Sequence, residues 1–76
     1  MTNKEIINTA RPIVELLGKV RHLVVADRYD VDDQIFKRTL CCENSLGRNI
    51  VFLSIEEGYD QDDIKREVLL QLADLF

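Results

Sequence analysis

The stretch IFKRTLCCENSLGRNIVFLSI, residues 35–55, decides the fold, because two strand-like segments flank a cluster of turn-forming residues. In the first segment, alternation places Phe36, Arg38, Leu40 and Cys42 on one face. The opposite face carries Ile35, Lys37, Thr39, Cys41 and Glu43. The turn cluster SLGRN then reverses the chain into NIVFLSIEE. We therefore predict a β-hairpin with a short loop.

A helix is the competing interpretation of the first half of this stretch. VDDQIFKRTLCCEN would be a helix with an acidic start and a lysine-bearing body. The segment VFLSI, between Gly47 and Gly58, consists largely of β-branched and aromatic residues and favours a strand. We favour the hairpin for this reason.

The segment RPIVELLG indicates a short first helix, with Pro12 placed where a first turn tolerates proline and Gly18 where helices commonly end. A longer apolar stripe passes through Pro12 and leaves the start of the helix open. The stripe consists of Ile6, Ala10, Ile13, Leu17, Val20 and Leu23. The helix therefore either begins near Lys4 with a kink or resumes after Gly18.

From Leu23 onward, apolar residues recur about every second position, which predicts the first strand. Gly58 marks the end of the third strand. A final helical stripe follows, formed by Ile64, Val68, Leu69, Leu72, Leu75 and Phe76. The predicted fold is α+β, with the order α-β-β-β-α and a three-stranded antiparallel sheet with two helices packed on one face. We expect one domain over residues 1–76, either a small protein or a piece of a longer chain, in which residues 1–11 form a flexible or helical extension.

The net charge of −4 and the pI of about 4.8 argue against sequence-independent binding to nucleic acid or to an anionic bilayer. No apolar run is long enough to span a membrane, and the N-terminus lacks the apolar core of a secretion signal. We expect a cytoplasmic or nuclear protein that makes no membrane contact.

We predict no catalytic residue, no metal site and no cofactor. Cys41 and Cys42 are neighbours in a strand, so one thiol should be buried and the other should face outward, with no disulfide between them. His22 is the only histidine, which makes a zinc site improbable and leaves no recognisable nucleophile and base. The pair Asp32 and Asp33 fits a solvated turn without the glycine that a calcium loop needs.

Three aspartates, Asp60, Asp62 and Asp63, crowd the start of the last helix. A helix start carries unsatisfied N–H groups and about half a unit of positive charge, so acids at the N-cap and in the first turn stabilise it. The same carboxylates occupy the place where a phosphate would otherwise bind.

The third strand is more apolar than a strand covered on one face should be. Val51, Leu53 and Ile55 share one face, and Ile50 and Phe52 share the other. The strand is then central with both faces protected, or it lies at an edge where a partner or the N-terminal residues cover it. We predict a protein interface made by Val51, Leu53 and Ile55, with Leu40 and Cys41 as nearby candidates.

The element order and two motifs resemble the double-stranded-RNA-binding domain family. RPIVELLG is similar to the proline-led first helix of that family, and GYDQDDIKREVLLQLADL is similar in length and spacing to its last helix. Where the family has a lysine pair that contacts phosphate, this chain has Gln61 and Asp62, and RYDVDDQ replaces the family's histidine-bearing loop. The resemblance thus implies a degenerate member that does not bind RNA, and such members serve as dimerisation or adaptor modules, commonly through the third strand.

We therefore expect a protein–protein interaction module that forms a homodimer or acts as an adaptor in an RNA-processing protein of a small-RNA pathway such as RNA interference. One alternative is a small acidic inhibitor that mimics the charge of nucleic acid. A second alternative is residual RNA binding through Arg11, Lys19, Arg21, Lys37 and Arg38.

Overall fold

The computed structural model describes residues 1–75, and its elements follow the predicted order. Helix α1 (Asn3–Val14) continues into a 3-10 turn (Glu15–Leu17) and is followed by strands β1 (Val20–Asp30), β2 (Ile35–Asn44) and β3 (Asn49–Ser54) and helix α2 (Gln61–Ala73). The α-β-β-β-α prediction is confirmed. The helical alternative for residues 31–44 is wrong, because residues 35–44 form the central strand.

The three strands form an antiparallel sheet in the order β1-β2-β3, so β3 lies at an edge. Leu40 of β2 lies opposite Val25 of β1 and Leu53 of β3, which fixes the face that these residues share. A bulge after Cys42 ends the regular pairing of β2 with β3. Of the two positions that the sequence allowed for β3, the edge position is the one observed.

Both helices pack on the same face of the sheet and enclose one core. The core residues are Ile6, Ala10, Val14, Leu23, Leu40, Cys42, Val51, Leu53, Ile64, Val68 and Leu72. Ile6 is fully buried and Ile7 packs against the core. The N-terminal residues are therefore a helical part of the domain, because the sheet needs their apolar stripe as cover.

Helix α1 begins well before Pro12. The side chain of Thr2 accepts a hydrogen bond from the Glu5 N–H, and the Glu5 carboxylate accepts one from the Thr2 N–H, forming a capping box. Pro12 lies in the last turn of the helix, so the short helix that opens at Pro12 is wrong and the alternative start near Lys4 is confirmed. Gly18 ends the segment as predicted, with a φ of 123° that side chains rarely allow.

Helix α2 presents a narrower apolar stripe than the sequence predicted. Ile64, Val68 and Leu72 are buried, whereas Leu69 and Leu75 are about half exposed. Phe76, the last residue of the predicted stripe, lies outside the described residues. Between residues 1 and 75, neither helix is long and apolar enough to cross a membrane.

Candidate protein-interaction surface

The five predicted interface residues are divided between the two faces of the sheet. Leu40, Val51 and Leu53 point towards the helices and are buried in the core of the monomer. Ile55 is half-buried against that core, and Cys41 lies on the opposite face. In the folded chain, the β3 side chains available to a partner are therefore those on the other face.

That other face carries no helix. We call it the open face. Its residues are His22, Val24, Ala26 and Arg28 of β1, Lys37, Thr39, Cys41 and Glu43 of β2, and Asn49, Phe52 and Ser54 of β3. The bulge in the β2–β3 pairing places Asn49 opposite Glu43, and Ile50 packs against the core instead of sharing a face with Phe52. Phe52 and Val24 are 51% and 44% exposed, and they are separated only by the central strand. The open face is thus an apolar surface with a charged rim.

The side chains of Arg28 on β1 and Phe52 on β3 meet over the central strand β2. The Arg28 guanidinium lies 5.4 Å from the centroid of the Phe52 ring, within the range of a cation–π contact. Thr39 and Cys41 of the strand between them are buried although no helix covers this face. Long side chains from the two edge strands therefore provide the cover.

A shallow cavity on the open face is lined by an imidazole, a thiol and a carboxylate. Its lining includes His22, Cys41 and Glu43. The His22 imidazole lies 3.9 Å from the Glu43 carboxylate. In the described residues, the imidazole is not hydrogen-bonded to the Cys41 thiol. Residues 1–75 also contain no group of three or more ligating side chains that could hold a metal ion.

At the centre of the β3 edge, the backbone groups that face away from β2 are hydrogen-bonded by a side chain from α2. The Phe52 N–H donates to Gln71 Oε1 at 2.7 Å, and Gln71 Nε2 donates to the Phe52 carbonyl at 2.8 Å. These two backbone groups point away from β2, which makes them the ones that an added strand would bind. The sequence alone offered no signal for this contact, because it depends on where α2 crosses the edge.

The basic residues considered for RNA binding are mostly engaged within the chain. Arg11 pairs with Glu15, and Arg38 donates to the Asn3 side chain and the Met1 carbonyl. Lys37 pairs with both Asp30 and Asp33, whose hydrogen bonds raise its pKa. Arg11 lies on α1, and Lys37 and Arg38 are neighbours on β2 that point to opposite faces of the sheet, so these three side chains do not share one surface.

The acidic start of α2 is an N-cap, as the sequence predicted. Asp60 and Asp63 exchange side-chain-to-backbone hydrogen bonds at 2.9 and 3.0 Å. The Asp60 N–H, together with the neighbouring Arg66 guanidinium, lowers the pKa of Asp63. The helix start is thus occupied by the chain's own carboxylates, which would repel a phosphate.

No family model matches this sequence, no curated protein is significantly similar to it, and no solved structure gives a significant match.

Proposed function

We propose that this chain is a protein–protein interaction module that forms a homodimer through its open face and has no catalysis or nucleic-acid binding of its own. The observation that carries the proposal is the pair Val24 and Phe52, two large apolar side chains exposed on a sheet face with no helix over it. Contiguous apolar surface of this kind is typical of protein interaction sites.

The Gln71 contact favours packing by the face over pairing by the edge. Strand addition at β3 would have to displace both hydrogen bonds between Gln71 and Phe52. Packing of the open faces leaves these bonds intact and buries the Phe52 ring. The third strand therefore contributes to the proposed interface through Phe52.

The charged residues of the open face are placed so that a second copy of the chain would offer complementary charges. Arg28 lies towards one end of the open face, and Glu43 lies towards the other end beside His22. If the open faces of two copies pack about a two-fold axis that lies between them and runs perpendicular to the strands, Arg28 of each copy lies near Glu43 of the other. Such an isologous interface is the commonest arrangement in soluble dimers.

The proposed cellular role rests on the resemblance to double-stranded-RNA-binding domains. The fold has the element order of that family, and its two RNA-contact regions carry aspartates here. We therefore propose that the chain is a dimerisation or adaptor module of an RNA-processing protein that works in the cytoplasm or nucleus. The paired or carbonyl-bound state of Arg11, Lys37 and Arg38 favours this role over residual RNA binding.

The test is the solution mass across a concentration series, measured by light scattering behind a sizing column. The chain should be a dimer at high concentration, and Phe52→Asp should make it a folded monomer. Leu16→Asp is the matched control, because Leu16 is a highly exposed leucine outside the sheet. A chain that stays monomeric throughout, or a Phe52→Asp variant that still dimerises, would refute the proposal.

A further inference from the structure

The turn between β1 and β2 projects beyond the rest of the domain. Pairing of β2 with β3 ends at Thr39 and Ser54, followed by one hydrogen bond from the Ile55 N–H to the Arg38 carbonyl. The pairs Arg28–Lys37, Tyr29–Phe36 and Asp30–Ile35 continue the β1–β2 ladder alone. We call residues 27–37 the hairpin tip. At about 3.3 Å per residue, it extends roughly 10 Å past the end of β3.

The hairpin tip exposes large apolar side chains that no helix or strand within residues 1–75 covers. Val31 and Phe36 are 74% and 70% exposed, and Tyr29 and Ile35 are about half exposed. The rings of Tyr29 and Phe36 contact each other edge to face, with centroids 5.2 Å apart. Alternation places Ile35 on the opposite side of the ladder from these two rings. The tip is therefore apolar on both sides.

The backbone of the tip is held by polar contacts and needs no burial of these apolar groups. Asp30 Oδ1 accepts hydrogen bonds from the Asp32 and Asp33 N–H groups at 2.9 and 3.1 Å. Lys37 pairs with the Asp30 and Asp33 carboxylates, and Gln34 closes the turn with a φ of 58°. The turn is thus ordered before any partner arrives, which reduces the entropy lost on binding.

The charge around the tip is negative. Its four aspartates outnumber Arg28 and Lys37, which gives the tip a net charge of −2. Lys37 is engaged by two of the aspartates, and Asp27 and Asp32 have no ion-pair partner within residues 1–75. A surface complementary to the tip must therefore be apolar with a positive rim.

We propose that the hairpin tip is a second interaction site, which docks onto a protein segment that presents apolar side chains flanked by lysine or arginine. Like charge disfavours a second copy of the tip as the occupant, and it also repels an anionic bilayer. The two surfaces share Arg28 and Lys37 at their border, but the large apolar side chains of the tip, Tyr29, Val31, Ile35 and Phe36, do not belong to the open face. The site would allow a homodimer to hold two copies of a basic partner.

The test uses a fluorescent synthetic peptide of leucine and lysine designed as an amphipathic helix, with a peptide of leucine and glutamate as its counterpart. Binding is followed by fluorescence anisotropy. The lysine peptide should bind and the glutamate peptide should not. The double substitution Ile35→Ser/Phe36→Ser should weaken binding at least about tenfold, as removal of a central aromatic contact typically does. The substitution Asp27→Asn/Asp32→Asn should weaken binding at low salt and reduce its salt dependence.

Leu46→Ser is the control, because Leu46 is a similarly exposed residue on the other hairpin turn. It should leave the affinity for the lysine peptide unchanged. The proposal is overturned if the peptide does not bind, or if Ile35→Ser/Phe36→Ser binds it as well as the parent. It is also overturned if the tip substitutions instead abolish binding to uncharged phosphatidylcholine vesicles, since the tip would then insert into lipid. The Phe52→Asp monomer should bind the peptide with the parent's affinity, so failure of the dimer and failure of this site are distinguishable.

Discussion

The Gln71 side chain replaces a neighbouring strand for Phe52. Its amide both accepts from the Phe52 N–H and donates to the Phe52 carbonyl, as a backbone partner would. The edge strand β3 is short, and its central outward-facing backbone pair is satisfied by this contact. Natural sheets protect exposed edges by such means, because unpaired backbone groups invite association with other chains.

Gln71→Ala should expose the edge of β3. We expect a loss of roughly 1–2 kcal/mol in unfolding free energy, since two hydrogen bonds are removed at a solvent-accessible site. The Phe52 amide should exchange with deuterium faster than in the parent, and the variant should aggregate more readily. Leu70→Ala, on the same helix and more than half exposed, is the control. Unchanged exchange at Phe52 would show that Gln71 does not protect the edge.

Adjacent residues of β3 should respond in opposite ways to the same substitution. Leu53→Asp places a carboxylate in the core, where only 6% of Leu53 is exposed, and should cost more than about 4 kcal/mol. Phe52→Asp places the same group on the open face and should leave the chain folded. Urea denaturation followed by circular dichroism distinguishes them. Comparable stability of the two variants would mean that the faces of β3 are assigned incorrectly.

The order of elements and the hairpin β2–β3 could be predicted from the sequence because they depend on local patterns. The alternation of residues 35–44 and the SLGRN turn are local signals, and both were interpreted correctly. The apolar stripe that passes through Pro12 allowed a start of α1 at Pro12 or near Lys4 and did not decide between them. The sequence TNKE at residues 2–5 is a capping-box pattern and would have located that start.

The interaction surface could not be predicted in the same way. Alternation correctly separated Val51 and Leu53 from Phe52, yet which set is covered depends on where α1 and α2 pack. The contacts of Phe52 with Arg28 and Gln71 join residues far apart in the chain. The length of the hairpin tip likewise follows from the early end of β3, which is a property of the sheet as a whole.

Stability should fall at acidic pH, partly because Asp63 loses its charge. Its pKa is lowered in the folded chain by the Asp60 N–H and by Arg66, so its contribution is fully present above the unfolded value of about 4. That contribution is lost as pH falls below 4 through the folded pKa. Asp30 and Glu5, whose pKa values are also lowered by hydrogen bonds, act in the same direction. We therefore expect the urea midpoint to decline below about pH 4.

Asp63→Asn should make this decline shallower, because the amide can still accept the capping hydrogen bond but does not titrate. Asp62→Asn, at an exposed position outside the capping box, is the control and should keep the parent's pH dependence more closely. Urea midpoints measured at several pH values would provide the comparison. Identical declines in the parent and Asp63→Asn would contradict the assigned role of Asp63.

The two cysteines should react at very different rates with iodoacetamide. Cys42 is fully buried in the core, and burial raises the pKa of its thiol, so it should react only when the chain unfolds. Cys41 is 7% exposed on the open face and lies opposite Phe52 on β3. Cys41 should therefore be labelled first, as measured by mass spectrometry on Cys42→Ala and Cys41→Ala variants.

Phe52→Ala should accelerate the labelling of Cys41, because the ring is part of its cover, whereas Leu46→Ala should not. The same reaction also reports on the proposed dimer. If two copies pack through their open faces, the labelling of Cys41 must slow as protein concentration rises. The labelling rate of Cys42 should still be set by the unfolding of the chain. A Cys41 rate that is independent of concentration in the range where the mass doubles would place the dimer interface away from the open face.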